Sequence, residues 1–100
     1  MSLAIHRVTH KPTQTDVSDP FTGFDDDGNG FEILDWIRDG GADAWGRNDR
    51  LYIKVANRPG ETWLDVGDRV GRRLRPDGTP TRDFYRLEPE VYDDAYGGQP

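Results

Sequence analysis

Apolar and polar residues alternate most regularly in the second half of the chain. In residues 51–55 apolar side chains occupy every second position, and residues 62–66 repeat the alternation after a turn at 57–60. Alternation of this kind places the apolar side chains on one face of an extended strand. The pattern therefore predicts an antiparallel hairpin whose inner face belongs to the core.

The same alternation continues on both sides of residues 67–68, a Gly-Asp dipeptide that is typical of a tight turn. It predicts a further strand of the same sheet at residues 69–75, and residues 84–87 predict the last strand. A short helix follows over about 89–96, with a proline at its first position, where the missing N–H is tolerated.

Before residue 51 the apolar residues no longer alternate with a period of two. Apolar side chains recur at helical spacing at Ile33, Leu34, Trp36 and Ile37, which predicts an amphipathic helix over about 30–39 with this stripe in the core. Two glycines directly after it favour its end. Residues 42–50, with Trp45 in their middle, have no period and predict a loop, from which Trp45 either points to solvent or folds back on the sheet.

Near the N-terminus, β-branched and small polar residues between positions 12 and 21 predict an edge strand. Pro20 confines this strand to a sheet edge or a strand end. The chain is therefore predicted to be a single α+β domain with a small, mainly antiparallel sheet of four to five strands and two helices. Residues 1–10 and the tail 97–100 are expected to be mobile.

Composition narrows the range of functions. The net charge is −6, from 19 acidic and 13 basic residues, so a surface for duplex nucleic acid is not expected. No cysteine is present, which excludes disulfides, thiolate metal sites and a cysteine nucleophile. The sequence contains no long apolar run and no signal-peptide pattern, so neither membrane insertion nor export is expected. We therefore expect a cytoplasmic location.

An acidic loop resembles part of a calcium-binding loop. With Asp25 as the first position, Asp27 and Asn29 occupy the third and fifth, but the twelfth is Trp36, which has no carboxylate. No helix is predicted before the loop. We therefore expect no metal here, and interpret the loop as a turn in which Asp27 or Asn29 caps the following helix.

Four arginines within residues 69–75 form a cationic stripe in an otherwise acidic chain. Alternation places Arg72 on one face of the strand and Arg69, Arg73 and Arg75 on the other. Guanidinium groups pair well with phosphate or carboxylate, so the stripe is a candidate binding site. The alternative is a solvated strand face whose charge is balanced by nearby aspartates, namely Asp65, Asp68, Asp77 and Asp83.

The order of these features resembles a family of small tailed-phage accessory proteins, most of them without an assigned function. The features are Phe21-Thr22-Gly23, the helix with Leu34 and Trp36, Gly67-Asp68, Phe84-Tyr85, Pro89, Tyr92 and Tyr96. The chain departs from the pattern at residues 79–83, where it is longer, and at Arg69, where the family has a large apolar residue. The resemblance implies a small α+β fold, no catalytic residues and work in the cytoplasm of an infected bacterial host.

No convergent acid, base or nucleophile is evident, so catalysis and a cofactor are not expected. The first hypothesis is a protein that binds a host or phage protein and modulates it; an exposed strand edge would also allow a homodimer. The alternatives are sequestration of a phosphorylated nucleotide by the arginine stripe, with Tyr85 or Tyr52 stacking on the base, and an acidic nucleic-acid mimic. The residues expected to make contact are Trp45, Trp63, Tyr85, Arg69, Arg72, Arg73 and Arg75.

Overall fold

Nine elements of secondary structure are arranged as two antiparallel sheets and two helices. The computed structural model describes residues 3–10, 13–54 and 59–96. In chain order the elements are β1 (Ile5–His10), β2 (Thr13–Ser18), α1 (Gly30–Asp39), β3 (Ala44–Arg47), β4 (Arg50–Lys54), β5 (Glu61–Leu64), β6 (Arg69–Leu74), β7 (Pro80–Leu87) and α2 (Pro89–Tyr96).

The α+β class and both predicted helices are confirmed, but the described strands number seven rather than four to five. One sheet has the order β1-β2-β6-β7 and the other β3-β4-β5. The predicted hairpin is the pair β4 and β5; Val55, assigned to its inner face, lies outside the described residues. The tail 97–100 also lies outside them.

The turn at Gly67-Asp68 leads from one sheet to the other, so the prediction that β5 and β6 share a sheet is wrong. Its backbone groups bond to Phe21 instead of closing a hairpin: Gly67 N–H donates to the Phe21 carbonyl at 2.8 Å, and Phe21 N–H donates to the Asp68 carbonyl at 2.7 Å. These two bonds fix the crossover between the sheets. Phe21 thereby holds the crossover in place.

Strand β2 is internal, and the prediction of an edge strand is wrong. It pairs with β6 on one side and with β1 on the other. Pro20 lies beyond its last residue and therefore interrupts no ladder bond. Residues 5–10, for which the sequence predicts no strand, cover the edge that β2 would otherwise expose.

Strand β3 occupies part of the predicted loop. Its inward positions are Ala44 and Gly46, too small to produce a visible alternation of bulky apolar residues. A glycine is required at position 46 because a Cβ there would lie 2.8 Å from the Phe24 ring. Asn48 and Asp49, at φ 52° and 60°, join β3 to β4 in the conformation of a two-residue hairpin turn.

The main core lies between α1, the inner face of the three-stranded sheet and one face of the four-stranded sheet. Its buried members are Phe21, Ile33, Leu34, Ile37, Ala44, Leu51, Ile53, Leu64, Val70 and Phe84. The predicted helical stripe is thus confirmed, with Trp36 half-buried and edge-on to Phe84 at 5.2 Å. A smaller cluster on the other face of the four-stranded sheet contains Val8, Val17 and Leu87, with Tyr85 and Tyr92 against it.

A charged network joins the two sheets at the edge of the main core. Arg86 of β7 donates through Nε to Asp68 at 2.8 Å and through Nη2 to Asp65 at 3.3 Å. Asp68 is only 4% exposed, and it also accepts the Asp65 N–H at 2.8 Å. Because Asp65 in turn pairs with Arg50 of β4 at 2.8 Å, the network fastens the three-stranded sheet to β7.

Candidate functional site

Three aromatic side chains form a row across the three-stranded sheet, on the face turned away from the core. Trp45, Tyr52 and Trp63 come from β3, β4 and β5, and we call this row and its sheet surface the aromatic face. The Trp45 and Tyr52 rings are stacked, with centroids 5.9 Å apart and planes 7° apart. Tyr52 and Trp63 are 6.4 Å apart and tilted by 44°. All three rings are half-buried.

Strand register produces this row. Trp45 lies opposite Tyr52, and Tyr52 lies opposite Trp63, so the three side chains stand on one line across the strands. Their chain neighbours Leu51, Ile53 and Leu64 point the other way and are fully buried. Cross-strand aromatic pairs contribute about 0.5–1.5 kcal/mol beyond the area they bury.

Two guanidinium groups lie against Trp63. Arg50 and Arg86 are each 5.5 Å from the centre of the indole ring. The pKa of Arg50 is raised, first by the side-chain hydrogen bond to Tyr52 and next by the charge of Asp65. Arg50 therefore remains a cation held between the aromatic row and the charged network. The Trp63 indole nitrogen is buried and has no acceptor among the described residues.

The border of the aromatic face meets solvent. Arg47, Arg50, Lys54 and Glu61 project from the same face of the strands and are exposed. Within the described part of the chain, Arg47 and Lys54 form no ion pair. The aromatic face thus combines stacked rings and one restrained arginine with two exposed cations at its margin, Arg47 and Lys54.

The structure does not bring the four arginines of the predicted stripe together. Arg69 and Arg73 lie on the outer face of the four-stranded sheet, where Arg69 is stacked on Tyr92 at 4.2 Å and Arg73 on Tyr85 at 4.6 Å. Arg72 points to the opposite face. Arg72 therefore cannot bind the same phosphate as Arg69 or Arg73 unless the side chains rearrange.

Internal acceptors occupy each of these arginines. Arg69 donates to the Ser18 carbonyl at 3.2 Å, Arg72 to that of Thr81 at 2.7 Å, and Arg75 to that of Pro80 at 3.0 Å. Arg73 pairs with Asp83 at 2.6 Å. Burial lowers the pKa of Arg72, and the charge of Asp16 opposes this effect.

Tyr85 lies away from the aromatic face and has a local structural role. Its hydroxyl and that of Thr15 are 2.7 Å apart, and Thr15 also donates to the Arg72 carbonyl at 2.8 Å. A Cβ at Gly71 would lie 2.4 Å from the Tyr85 ring, so the ring covers that glycine. Of the seven candidate residues, Trp45 and Trp63 are the two that share one surface with Tyr52.

Asn29 stands at the N-cap position of α1, but the expectation that its side chain caps the helix is wrong. The Oδ1 atom accepts the Thr22 N–H at 2.9 Å, and Nδ2 donates to the Pro20 carbonyl at 2.8 Å. No side-chain bond to the helix is formed. Within the described residues, Asp25 and Asp27 belong to no group of three or more acidic or histidine side chains that could hold a metal.

A cleft of about 570 Å³ lies between β1 and α2, away from the aromatic face. His6 and Asp19, which line it, are 3.1 Å apart and exposed. The nearby Ser18 is fully buried, with its hydroxyl accepting the Val70 N–H at 3.0 Å and donating to the Asp19 carbonyl at 2.9 Å. Ser18 therefore presents no nucleophile to His6, and the described residues of the cleft do not form a Ser-His-Asp triad. The side chain of His10 lies outside the described residues.

None of the comparisons with protein-family models, with curated proteins and with solved structures gave a match. The described helices include none that is both long and apolar enough to cross a membrane. What the structure defines is a small α+β protein with an aromatic face on one sheet. The resemblance to tailed-phage accessory proteins stays a prediction.

Proposed function

We propose that this protein is a non-catalytic binding module that engages a partner protein through the aromatic face. The observation that supports the proposal is the aligned row of Trp45, Tyr52 and Trp63 on the side of the sheet opposite the core. Tryptophan, tyrosine and arginine are the residue types that contribute most to protein interfaces. Here they are held in fixed positions by strand register, which reduces the entropy lost on binding.

Electrostatics favour a protein partner over a nucleic acid. The net charge of −6 repels a phosphate backbone, and the two cations nearest Trp63 are already paired with Asp65 and Asp68. Arg47 and Lys54, at the margin of the aromatic face, have no ion-pair partner among the described residues, and they suit a partner with a few carboxylates. The resemblance in sequence pattern is the reason for proposing that this partner is a host or phage protein, which the module would modulate by occupying one of its surfaces.

The test is capture of the partner by the immobilised protein from a nuclease-treated extract of its native cells. Trp45→Ser combined with Tyr52→Ser should weaken capture by about thirtyfold or more, because a single hot-spot ring contributes about 2 kcal/mol. The captured protein is quantified by mass spectrometry. Circular dichroism melting checks that the variant is folded.

A matched control replaces two exposed apolar residues elsewhere, Val66→Ser and Val91→Ser, which are 64% and 51% exposed. This variant should capture the partner as the wild type does. Equal capture by the wild type and the aromatic variant would overturn the proposal. A wild-type signal that is present in untreated extract and absent from nuclease-treated extract would also overturn it, because a nucleic acid would then be the ligand.

A further inference from the structure

In β3, the backbone N–H and carbonyl of Gly46 are open at the edge of the three-stranded sheet. The Asp43 carbonyl accepts the Lys54 N–H at 3.0 Å, so the alternation of an antiparallel ladder directs the backbone groups of Trp45 and Arg47 toward β4. Those of Ala44 and Gly46 point outward. The Ala44 carbonyl accepts a hydrogen bond from the Arg38 Nε–H at 3.0 Å.

Gly46 is exposed, and its N–H and carbonyl have no partner within the described ranges. An open edge with unpaired N–H and C=O groups is the usual template for addition of another strand. Because Arg38 closes the Ala44 end, the template is short and centred on Gly46. It suits an extended peptide better than the edge of a complete sheet.

An aromatic pocket of about 300 Å³ lies beside this edge, on the inner side of β3. Its walls include Phe24 and Phe31, whose rings are edge-on with centroids 5.1 Å apart. Phe24 is anchored to the buried ring of Phe21 at 5.4 Å, whereas Phe31 is 62% exposed. The pocket therefore has a fixed back wall and an exposed side wall, and its volume is sufficient for one apolar side chain.

Side chains of an added strand would alternate between this pocket and the aromatic face. The residue opposite Gly46 points to the same side as Gly46, which is the side of the pocket. Its two neighbours point to the outer side, beside Trp45 and Arg47. Arg47 is exposed and unpaired among the described residues, so a carboxylate beside it would gain a charge-assisted hydrogen bond.

We propose that the partner binds by adding an extended segment to β3, with an apolar side chain in the Phe24 and Phe31 pocket and an adjacent acidic residue paired with Arg47. This inference rests on the proposed function and specifies the chemistry of the partner. Main-chain bonds to Gly46 provide affinity, while the pocket and Arg47 select the sequence. Trp45 packs against the neighbouring side chain on the outer face.

The experiment selects binders from a displayed library of short random peptides with the intact protein as bait. The selected peptides should share an apolar residue directly beside an acidic one. The tightest peptide is then synthesised with a fluorophore, and its Kd is measured by anisotropy. N-methylation of its apolar residue, which removes the N–H directed at the Gly46 carbonyl, should weaken binding about tenfold, whereas N-methylation of the next residue should not.

Protein variants test the pocket and the charge separately. Phe31→Ser and Arg47→Glu should each weaken peptide binding about tenfold. The matched controls, Val66→Ser and Arg82→Glu, make the same kinds of change at exposed positions away from the pocket and should bind normally.

Three results would overturn the inference: no enriched peptide, enriched peptides without the motif, or a Kd that neither variant nor N-methylation changes. The proposed function is tested separately from all three, because capture of the native partner requires no peptide of this motif.

Discussion

Replacing Arg86 by methionine is expected to lower the free energy of unfolding by about 3 kcal/mol, because it leaves a buried carboxylate without its cation. Asp68 is 4% exposed, and Arg86 is its one ion-pair partner in the described part of the chain, at 2.8 Å. Methionine keeps most of the volume of the arginine stem. The loss is measured as a shift of the urea unfolding midpoint.

The control for this prediction is Arg73→Met. Arg73 and Asp83 are 2.6 Å apart, but their side chains are 62% and 39% exposed, so the pair contributes less than about 1 kcal/mol. Combining Arg86→Met with Asp68→Asn should restore part of the stability, since the uncompensated charge is then gone. Equal midpoints for Arg86→Met and Arg73→Met would contradict the role of Arg86 in joining the sheets.

Replacing Phe21 by alanine is expected to destabilise the protein by about 3–5 kcal/mol, the usual loss for a large buried ring. Phe21 is fully buried in the main core. Its backbone bonds to Gly67 and Asp68 do not depend on the side chain, so the change isolates the contribution of the ring. Chemical unfolding monitored by tryptophan fluorescence gives the value.

Phe31→Ala supplies the same chemical change at a 62% exposed position and should alter stability by less than about 1 kcal/mol. If both alanine variants lost the same amount, the buried ring of Phe21 would contribute no more to stability than the exposed ring of Phe31. If Phe31→Ala were the more damaging, the aromatic pocket beside β3 would be structural.

The parts of the fold that could be predicted are those with bulky apolar residues at the inward positions. Leu51, Ile53 and Leu64 mark β4 and β5, and the stripe of α1 marks that helix. Strand β3 gives no such signal, because its inward positions are Ala44 and Gly46. Its hairpin turn uses Asn48 and Asp49, a weaker turn signal than a pair containing glycine.

Strand β1 could not be predicted from the sequence for a different reason. Its described apolar residues, Ile5 and Val8, fall on opposite faces, so no alternation marks it. Its position depends on pairing with β2 over a long stretch of register, and on the small cluster beneath α2. These are tertiary contacts, which cannot be predicted from the strand propensity of the local sequence.

The candidate site could be predicted only as separate residues. The types of Trp45 and Trp63 favour an interface wherever they are exposed, but their alignment with Tyr52 requires the register of three strands. Because β3 was predicted as a loop, Trp45 could not be assigned a partner on a neighbouring strand. The pairing of Arg86 with Asp68 likewise depends on how the two sheets meet. The arginines of the predicted stripe do not converge, because strand alternation places them on different faces and each one bonds to an acceptor nearby.

The most direct test of the aromatic face is site-specific photo-crosslinking. A benzoylphenylalanine is placed either at position 54, on the margin of the aromatic face, or at position 73, on the outer face of the four-stranded sheet; both positions are exposed. The partner should crosslink from position 54 and not from position 73 when native extract is irradiated. Crosslinking from position 73 alone would place the interface on the four-stranded sheet and show that the aromatic face is not the binding surface.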